Sequence, residues 1–292
     1  MQEETVLSNH SQRTAVDEFW RRYKRNKLAV VGLAIFTLIC LCAIFAPWIT
    51  WHPPLTTDLG PALIPPTSNF PFGTDDLARD IYSNVIYGAR TSLFVGLVSV
   101  IFSTSIGILV GAVAGYYGGR IDDLLMRTTD IFLIIPSFFL ALVIVSIIGQ
   151  TIYNVVIAIA ITTWTSSARL LRAEFLSFKE REFVDAAKVI GESDRLIIFN
   201  EILPNAIFPV TVNTALQIAT AILIEAGLSF LGVGDPNIAS WGRMLNEAQS
   251  FLINAPWMAI FPGLALFLAT LSVNLIADGL NDVLNPKVKA RR

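Results

Sequence analysis

Charged residues are scarce in this chain. Only 15% of its 292 residues are Asp, Glu, Lys or Arg, whereas soluble domains carry about a quarter. Hydrophobic residues make up 54% of the chain, and its mean hydropathy is +0.61. This composition excludes a water-soluble domain, and the net charge of −2 gives no reason to expect a nucleic-acid partner.

Histidine and cysteine are nearly absent. The two histidines, His10 and His52, lie in the polar leader and just beyond the first apolar run, so neither an HExxH zinc motif nor a histidine inside a membrane bundle is available. The nucleotide-binding motif GxxxxGK[ST] is also missing. Cys40 and Cys42 lie within an apolar run, which predicts small apolar residues rather than a disulfide. We therefore predict a non-enzymatic chain without catalytic residues, metal or cofactor of its own.

Long uncharged stretches are what the chain has instead. About 20 apolar residues suffice to cross a bilayer. The stretch 131–168 is nearly twice that length and is interrupted near Gly149, so we interpret it as two spans joined by a tight hairpin. The sequence predicts an all-α integral membrane protein with six transmembrane helices, at residues 28–50, 92–116, 128–148, 152–170, 206–230 and 257–279.

The segments between these spans define the predicted organisation of the chain. In the leader, Phe19, Trp20 and Tyr23 share one helical face among basic residues, which is typical of an interfacial helix lying on anionic lipid. A basic anchor that only fixes orientation fits equally well. We predict a cytoplasmic leader, a first transmembrane helix, an extracytoplasmic segment, a five-helix core and a basic cytoplasmic tail, at residues 1–27, 28–50, 51–91, 92–279 and 280–292.

Lys and Arg are distributed very unevenly among these segments. If the N-terminus is cytoplasmic, 18 of the 21 basic residues lie on the inside, and only Arg79, Arg90 and Arg243 lie outside. Basic residues concentrate in the cytoplasmic loops of membrane proteins. The distribution therefore predicts that both termini and the loop 169–205 are cytoplasmic.

The loop 169–205 is polar and strongly patterned. Its notable residues are Glu182, Asp185, Ala186, Ala187, Lys188, Gly191, Leu203 and Pro204. Small residues allow another backbone to approach closely, and a glycine can end a helix in the left-handed conformation. Proline suits the first turn of the span that follows. A plain solvated connector is the alternative, although it has no need of small residues at these positions.

The spacing of these residues resembles the coupling loop of ATP-binding-cassette (ABC) importer permeases, which inserts a short helix into a cleft on the ATPase subunit. In two places the chain departs from that pattern. Asp185 stands where glutamate is usual, and Ile202 comes one position late.

Further blocks are similar to the second permease subunit of dipeptide and oligopeptide importers, and the matching blocks extend from about residue 26 to residue 286. They are residues 72–76, 116–119, 130–132, 136–137, 225–232, 255–257 and 261–263. The resemblance implies alternating access, a related permease subunit, two ABC ATPases that bind ATP and Mg²⁺, and an extracytoplasmic solute-binding protein. It implies a peptide cargo, with oligosaccharides or nickel complexes as alternatives. An ATP-independent channel or secondary transporter, or a membrane scaffold, would be a protein of another class.

Polar residues within the predicted spans are the candidates for a translocation path. Thr162, Thr165 and Ser166 form a stripe on the fourth span, and Glu225 lies in the outer half of the fifth. Polar side chains are unfavourable in contact with lipid, so we expect these four to be exposed to water inside the bundle. For Glu225, a contact with substrate or gate and a structural hydrogen-bonding role both remain open.

The acidic residues before the second span have a simpler explanation than metal binding. Thr74 is a suitable helix N-cap, and Asp75 and Asp76 would then complement the positive end of that helix. We therefore predict capping at this position.

Overall fold

All regular elements in the described part of the chain are helices. The computed structural model describes residues 15–284, so the start of the predicted leader and most of the predicted basic tail lie outside the described residues. In chain order the helices are α1 (Ala15–Tyr23), α2 (Lys27–Ile44), α3 (Ala46–Ile49), α4 (Ile81–Tyr117), α5 (Gly119–Ile134), α6 (Ser137–Ile148), α7 (Ile152–Lys179), α8 (Glu182–Val189), α9 (Asp194–Leu196), a π-helix (Ile197–Ile202), α10 (Leu203–Phe230), α11 (Trp241–Ala248), a 3₁₀ turn (Gln249–Phe251) and α12 (Trp257–Leu284).

Five of these helical stretches are long and apolar enough to cross a bilayer. They are α2, α4, α7, the continuous stretch Asp194–Phe230 and α12, and the bent pair α5–α6 makes a sixth if it counts as one span. The predicted all-α membrane fold is therefore confirmed.

The third predicted span, residues 128–148, is not one helix. Helix α5 begins at Gly119 and ends at Ile134, α6 begins at Ser137, and the two are bent by 86°. Ile135 between them is extended, with φ −94° and ψ 123°. Pro136 explains the break, since it lacks an N–H and disfavours helical geometry in the residue before it.

Helix α4 begins eleven residues before the predicted start at residue 92. Its N-cap is Asp80, whose carboxylate accepts hydrogen bonds from the backbone N–H groups of Tyr82 and Ser83. The prediction that Thr74 caps this helix is wrong. The Thr74 hydroxyl instead donates to the Pro61 carbonyl at 2.8 Å and stabilises the preceding loop.

Helices α4 and α7 pack closely along a ridge of glycines. Gly107, Gly111 and Gly115 recur every four residues and so lie on one face of α4. A Cβ atom at Gly107 would lie 2.6 Å from the Ser167 Cβ, and one at Gly111 would lie 2.5 Å from the Ala168 carbonyl oxygen. Small residues at such positions let the backbones of membrane helices touch. This is the most extensive helix–helix contact in the described part of the chain.

The first and last spans also pair with each other. Gly32 on α2 faces α12, and Gly279 on α12 faces Ala29, again without room for a Cβ atom. The Asn26 amide, which caps α2, donates to Asp282 at 2.8 Å. Helix α12 therefore closes the bundle against the N-terminal span.

The short helix α1 packs against the same end of α12. Phe19 and Tyr23 stack with their ring centroids 6.1 Å apart, and Tyr23 is buried against Gly279. Trp20 on this helix is partly exposed. The aromatic face predicted for the leader thus packs partly on the bundle, and its contact with lipid stays a prediction.

Candidate functional site

The patterned loop contains a short helix, α8, with well-defined ends. Glu182 and Asp185 lie in its first turn and Lys188 in its last, an arrangement that complements the helix dipole. The Lys188 ammonium also lies 3.1 Å from the Asp185 carboxylate. Both residues of this pair are exposed, so its contribution to stability is small.

Gly191 ends this helix as predicted. Its φ of +81° lies in the left-handed region, where residues with a Cβ atom are strained. The Gly191 N–H donates to the Lys188 carbonyl at 3.0 Å, and the Glu192 N–H donates to the Ala187 carbonyl at 3.1 Å. These two bonds form a Schellman motif, which turns the chain back toward the bundle.

One face of α8 is buried against the rest of the chain. Val184 is fully buried and Ala187 is 6% exposed. They belong to an apolar cluster contributed by the C-terminal parts of α4 and α7, by α8 and by the start of the 194–230 stretch: Ala112, Tyr116, Leu171, Phe175, Val184, Ala187, Ile197, Ile198, Ile202, Ala206 and Val210. The Tyr116 hydroxyl adds a 2.7 Å hydrogen bond to Asp194. Helix α8 is therefore fixed to the ends of three spans.

The opposite face of α8 is open. Ala186 is exposed, and at the tip Val189 is 87% and Ile190 81% exposed. The expectation that Ala186 and Ala187 both receive another backbone differs from this geometry, because Ala187 already packs inside the chain. From the sequence, no role was predicted for Val189 and Ile190. Their only signal in the sequence is that two apolar residues stand at the end of a polar helix.

The loop returns to the membrane through a π-helix, Ile197–Ile202, that runs directly into α10. Leu203 packs at the edge of the same apolar cluster, and Pro204 occupies the first turn of α10, as predicted. Proline has no backbone N–H to donate, so it is suited to this position near the junction of the π-helix and α10.

A polar cavity of about 330 Å³ lies between the α5–α6 bend, α7 and α10. Thr162, Thr165 and Ser166 all line it, so the structure brings the predicted stripe together. Thr162 and Thr165 are each 3% exposed, so the expectation that they are exposed to water is wrong for this structure, and only Ser166 of the stripe is exposed. The bend at Pro136 helps to create this space, because Pro136 itself is part of the wall.

Helix α10 supplies further polar residues to the cavity: Asn213, Gln217 and Thr220. The Gln217 amide donates to Ser166 at 3.0 Å and to Ser167 at 2.8 Å, and its carbonyl accepts from Ser103 at 3.2 Å. One side chain thus connects α4, α7 and α10. The signal missed in the sequence is the spacing of residues 213, 217 and 220, which places them on one helical face.

Glu225 lies apart from this cavity and does not line it. It is 2% exposed and accepts hydrogen bonds from Ser92 at 2.9 Å and from Ser229 at 2.8 Å. The expectation that Glu225 faces water beside the threonine stripe is therefore wrong for this structure. A buried carboxylate requires donors, and the geometry corresponds to the structural alternative.

Asp75, one of the acidic residues before α4, takes part in an ion-pair network with α11. The Arg79 guanidinium lies 2.5 Å from Asp75 and 2.6 Å from Glu247, which also binds Arg243. Burial raises the pKa of Asp75, and the hydrogen bonds and charge of Arg79 counteract that rise. Within residues 15–284, no three His, Cys, Asp or Glu side chains come together as metal ligands.

Comparison with known families places most of the chain within two sequence models. Residues 107–290 match the family described as binding-protein-dependent transport system inner membrane component. Residues 14–66 match the N-terminal transmembrane domain of oligopeptide transport permease C.

Several curated proteins are similar over nearly the whole chain. The dipeptide transport system permease protein DppC of Alkalihalophilus pseudofirmus is 44% identical over 94% of this chain and 90% of its own length. The oligopeptide transport system permease protein OppC of Bacillus subtilis is 38% identical over 92% and 88% of the two chains. A structure of the inward-facing MetNI methionine ABC transporter matches 68% of this chain and 94% of its own, with a TM-score of 0.56 and 18% identity. That likeness concerns the fold alone.

Proposed function

Because the chain belongs to the family of binding-protein-dependent transport system inner membrane components, we propose that it is the permease subunit of an ABC importer for dipeptides and oligopeptides. The named relatives favour peptides over oligosaccharides and nickel complexes. Family membership favours ATP-driven import over a channel, a secondary transporter or a scaffold. The resemblance inferred from the sequence motifs is confirmed by these relatives.

The open face of α8 is the observation that carries the proposal. Val189 and Ile190 are large apolar side chains, more than four-fifths exposed in the loop that carries α8. Exposed apolar groups of this kind mark interaction sites, and the neighbouring charges of Glu182, Asp185 and Lys188 would set the register of a partner. We assign this face to an ABC ATPase subunit, which would bind ATP and Mg²⁺.

The buried face of α8 gives a route by which the ATPase can move the membrane helices. The apolar cluster joins α8 to α4, α7 and α10, and α7 and α10 line the polar cavity. Packed interfaces transmit displacements as rigid units. A movement of α8 on ATP binding would therefore be passed to the cavity walls, which is the requirement of alternating access.

The other partners and the orientation belong to the same proposal. A related permease subunit would complete the path across a pseudo-two-fold axis, two ATPases would bind on the cytoplasmic side, and a solute-binding protein would deliver cargo from outside. The chain would be a multi-pass protein of the cytoplasmic membrane with both termini in the cytoplasm, consistent with the distribution of its basic residues.

The proposal is tested by Val189→Asp. An unpaired charge in a close interface typically costs several kcal/mol, so ATP-dependent uptake of a labelled dipeptide into vesicles should fall by about tenfold or more. Because Val189 is 87% exposed, the variant should insert in normal amounts. Val189→Ala is the matched control, since it shortens the side chain without adding charge, and it should retain most of the uptake. Undiminished uptake and ATPase association in Val189→Asp would show that this face is not the docking surface.

A further inference from the structure

Four exposed basic side chains surround the turn between α1 and α2. We call them the basic corner: Arg21, Lys24, Arg25 and Lys27. We infer that the basic corner binds the phosphate of an anionic phospholipid, and that the bound lipid stabilises the folded chain. This site is independent of the cargo proposed above, because none of its residues lines the polar cavity.

The cations of the basic corner have no acidic partner in the described part of the chain. None of their side chains forms an ion pair or a hydrogen bond there. Arg169 and Arg172 on α7, by contrast, each bind a carboxylate of α5. Asp282, the acid closest to the turn, accepts a hydrogen bond from Asn26 and from none of the four cations. Residues 15–27 carry five basic and two acidic residues, so this end of the chain attracts anions.

The basic corner lies on the side of α1 that faces away from the bundle. Tyr23 is 3% exposed, packs on Gly279 of α12, and donates its hydroxyl to the Ala29 carbonyl at 3.2 Å. Phe19 belongs to the same apolar cluster. Residues 21, 24 and 25 are three and four positions apart, so they share one helical face, opposite Phe19 and Tyr23. Because α1 is fixed on its apolar face, its charges are presented in a fixed arrangement.

The position of the basic corner along the chain corresponds to the level of lipid headgroups. Helix α2 begins at Lys27, and Leu28 and Val31 in its first turns are 65% and 49% exposed. Exposed apolar side chains at the start of a membrane span contact lipid. Trp20 is 44% exposed, with its ring centroid 5.9 Å from that of Tyr23, and tryptophan concentrates at the headgroup level. The four cations therefore lie where the phosphates of the adjoining lipids are.

This geometry favours a lipid site over a basic anchor that only fixes orientation. An orientation anchor needs positive charge on one side of the membrane, whereas a lipid site needs cations held together beside lipid. Guanidinium groups bind phosphate through paired hydrogen bonds, and ammonium groups bind it as point charges. Phosphatidylcholine carries the same phosphate beside a positive choline group, so it should bind more weakly than phosphatidylglycerol.

The test measures how lipid changes the thermal stability of the chain, purified with the subunits that accompany it. The thermal midpoint is followed in detergent during titration with dioctanoyl phosphatidylglycerol, dioctanoyl phosphatidylcholine or inorganic phosphate. A ligand that binds the folded state stabilises it according to the ratio of its concentration to its Kd, so the titration gives the affinity.

Two double variants are compared with the parent chain. Lys24→Gln with Arg25→Gln removes two cations from the basic corner. Arg120→Gln with Arg127→Gln is the matched control, because these two arginines of α5 are also exposed and have no acidic partner among the described residues. All four substitutions are at exposed positions, so both variants should have the midpoint of the parent when lipid is absent.

We expect phosphatidylglycerol to raise the midpoint of the parent more than the other two ligands do. Each cation near an anionic lipid surface strengthens binding by about fivefold. The corner variant should therefore bind phosphatidylglycerol at least about tenfold more weakly, while the α5 control stays within about twofold of the parent. Added salt should weaken the binding, since the charges are exposed.

Three results would overturn the inference. Unchanged affinity for phosphatidylglycerol in the corner variant would show that the lipid binds elsewhere. An equal loss in the α5 control would show that overall charge, and not this site, attracts the lipid. Equal stabilisation by inorganic phosphate would assign the corner to a free anion. If the corner variant is less stable than the parent without lipid, Arg21→Gln with Lys27→Gln repeats the comparison at the other two cations.

Discussion

At the scale of single residues, polar side chains deep in the membrane-spanning helices bind one another across helix boundaries. Glu225 on α10 accepts from Ser92 on α4, and Gln217 on α10 connects to serines of α4 and α7. These hydrogen bonds join residues that are 133, 114 and 50 positions apart in the sequence. Such contacts fix the relative positions of helices whose apolar surfaces alone would not specify a register.

Glu225 is expected to contribute to assembly rather than to transport chemistry. Glu225→Leu would leave the hydroxyls of Ser92 and Ser229 without their acceptor, and an unsatisfied buried polar group costs about 1–3 kcal/mol. The thermal midpoint of the purified complex, followed by size-exclusion chromatography after heating, should drop by several degrees. Glu225→Gln retains one acceptor oxygen and should keep most of the stability and the peptide uptake. If Glu225→Gln abolished uptake while the thermal midpoint was unchanged, a direct role in the path would be indicated instead.

Gly191 and Thr74 show which single-residue roles the sequence predicts and which it does not. The left-handed Gly191 was predictable, because glycine at the end of a polar helix has few other uses. The prediction of Thr74 as the cap was wrong, because Asp80 is an equally suitable cap residue six positions later. Asp75 binds Arg79, which also binds Glu247. Arg79 and Glu247 are 168 positions apart, so the residues around Arg79 in the sequence do not predict this ion pair.

At the scale of elements, the glycine ridge of α4 makes a testable contribution. A Cβ atom at Gly111 would lie 2.5 Å from the Ala168 carbonyl oxygen, and overpacking of this kind costs about 1–3 kcal/mol. Gly111→Ala should therefore lower the thermal midpoint and the yield of assembled complex. Gly263→Ala on α12 is the matched control, since its nearest neighbour would be Leu245 at 3.8 Å, and helix propensity there favours alanine. Equal stability of the two variants would contradict the close α4–α7 contact.

Hydropathy located the spans but not their shapes. The α5–α6 segment is almost uniformly apolar from Ile131 to Ile148, so its hydropathy gives no indication of the 86° bend within it. The signal was Pro136, and its effect depends on whether neighbouring elements can accept a bend. The early start of α4 was hidden for a different reason: polar residues such as Asn84 and Arg90 lower hydropathy without lowering helicity.

The polar cavity was predictable in part. The threonine stripe of α7 identified one wall, because hydroxyls in a span seek a polar environment. The α10 wall is harder to predict from the sequence, because the regular spacing of residues 213, 217 and 220 is a weaker signal in an apolar span than the single carboxylate of Glu225. In the structure the Glu225 carboxyl group is buried, and the neutral residues at 213, 217 and 220 line the cavity.

At the scale of the whole molecule, the predicted orientation remains to be measured. Ser68 and Ser193 are both exposed, in the segment between α3 and α4 and in the loop that carries α8. With Cys40 and Cys42 replaced by alanine, Ser68→Cys should react with a membrane-impermeant thiol reagent from outside intact cells. Ser193→Cys should react only after the membrane is permeabilised. Labelling of both positions in intact cells would refute the cytoplasmic placement of the α8 loop.

The pairing of α2 with α12 has a consequence for how the protein is made. Synthesis runs from the N-terminus, so α2 enters the bilayer before α12 has left the ribosome. The face of α2 around Gly32 packs against α12 without room for a Cβ atom, so it stays uncovered until α12 is inserted. Until then, folding is limited to the helices that precede α12. A nascent chain that stops short of α12 therefore leaves that face of α2 exposed to lipid.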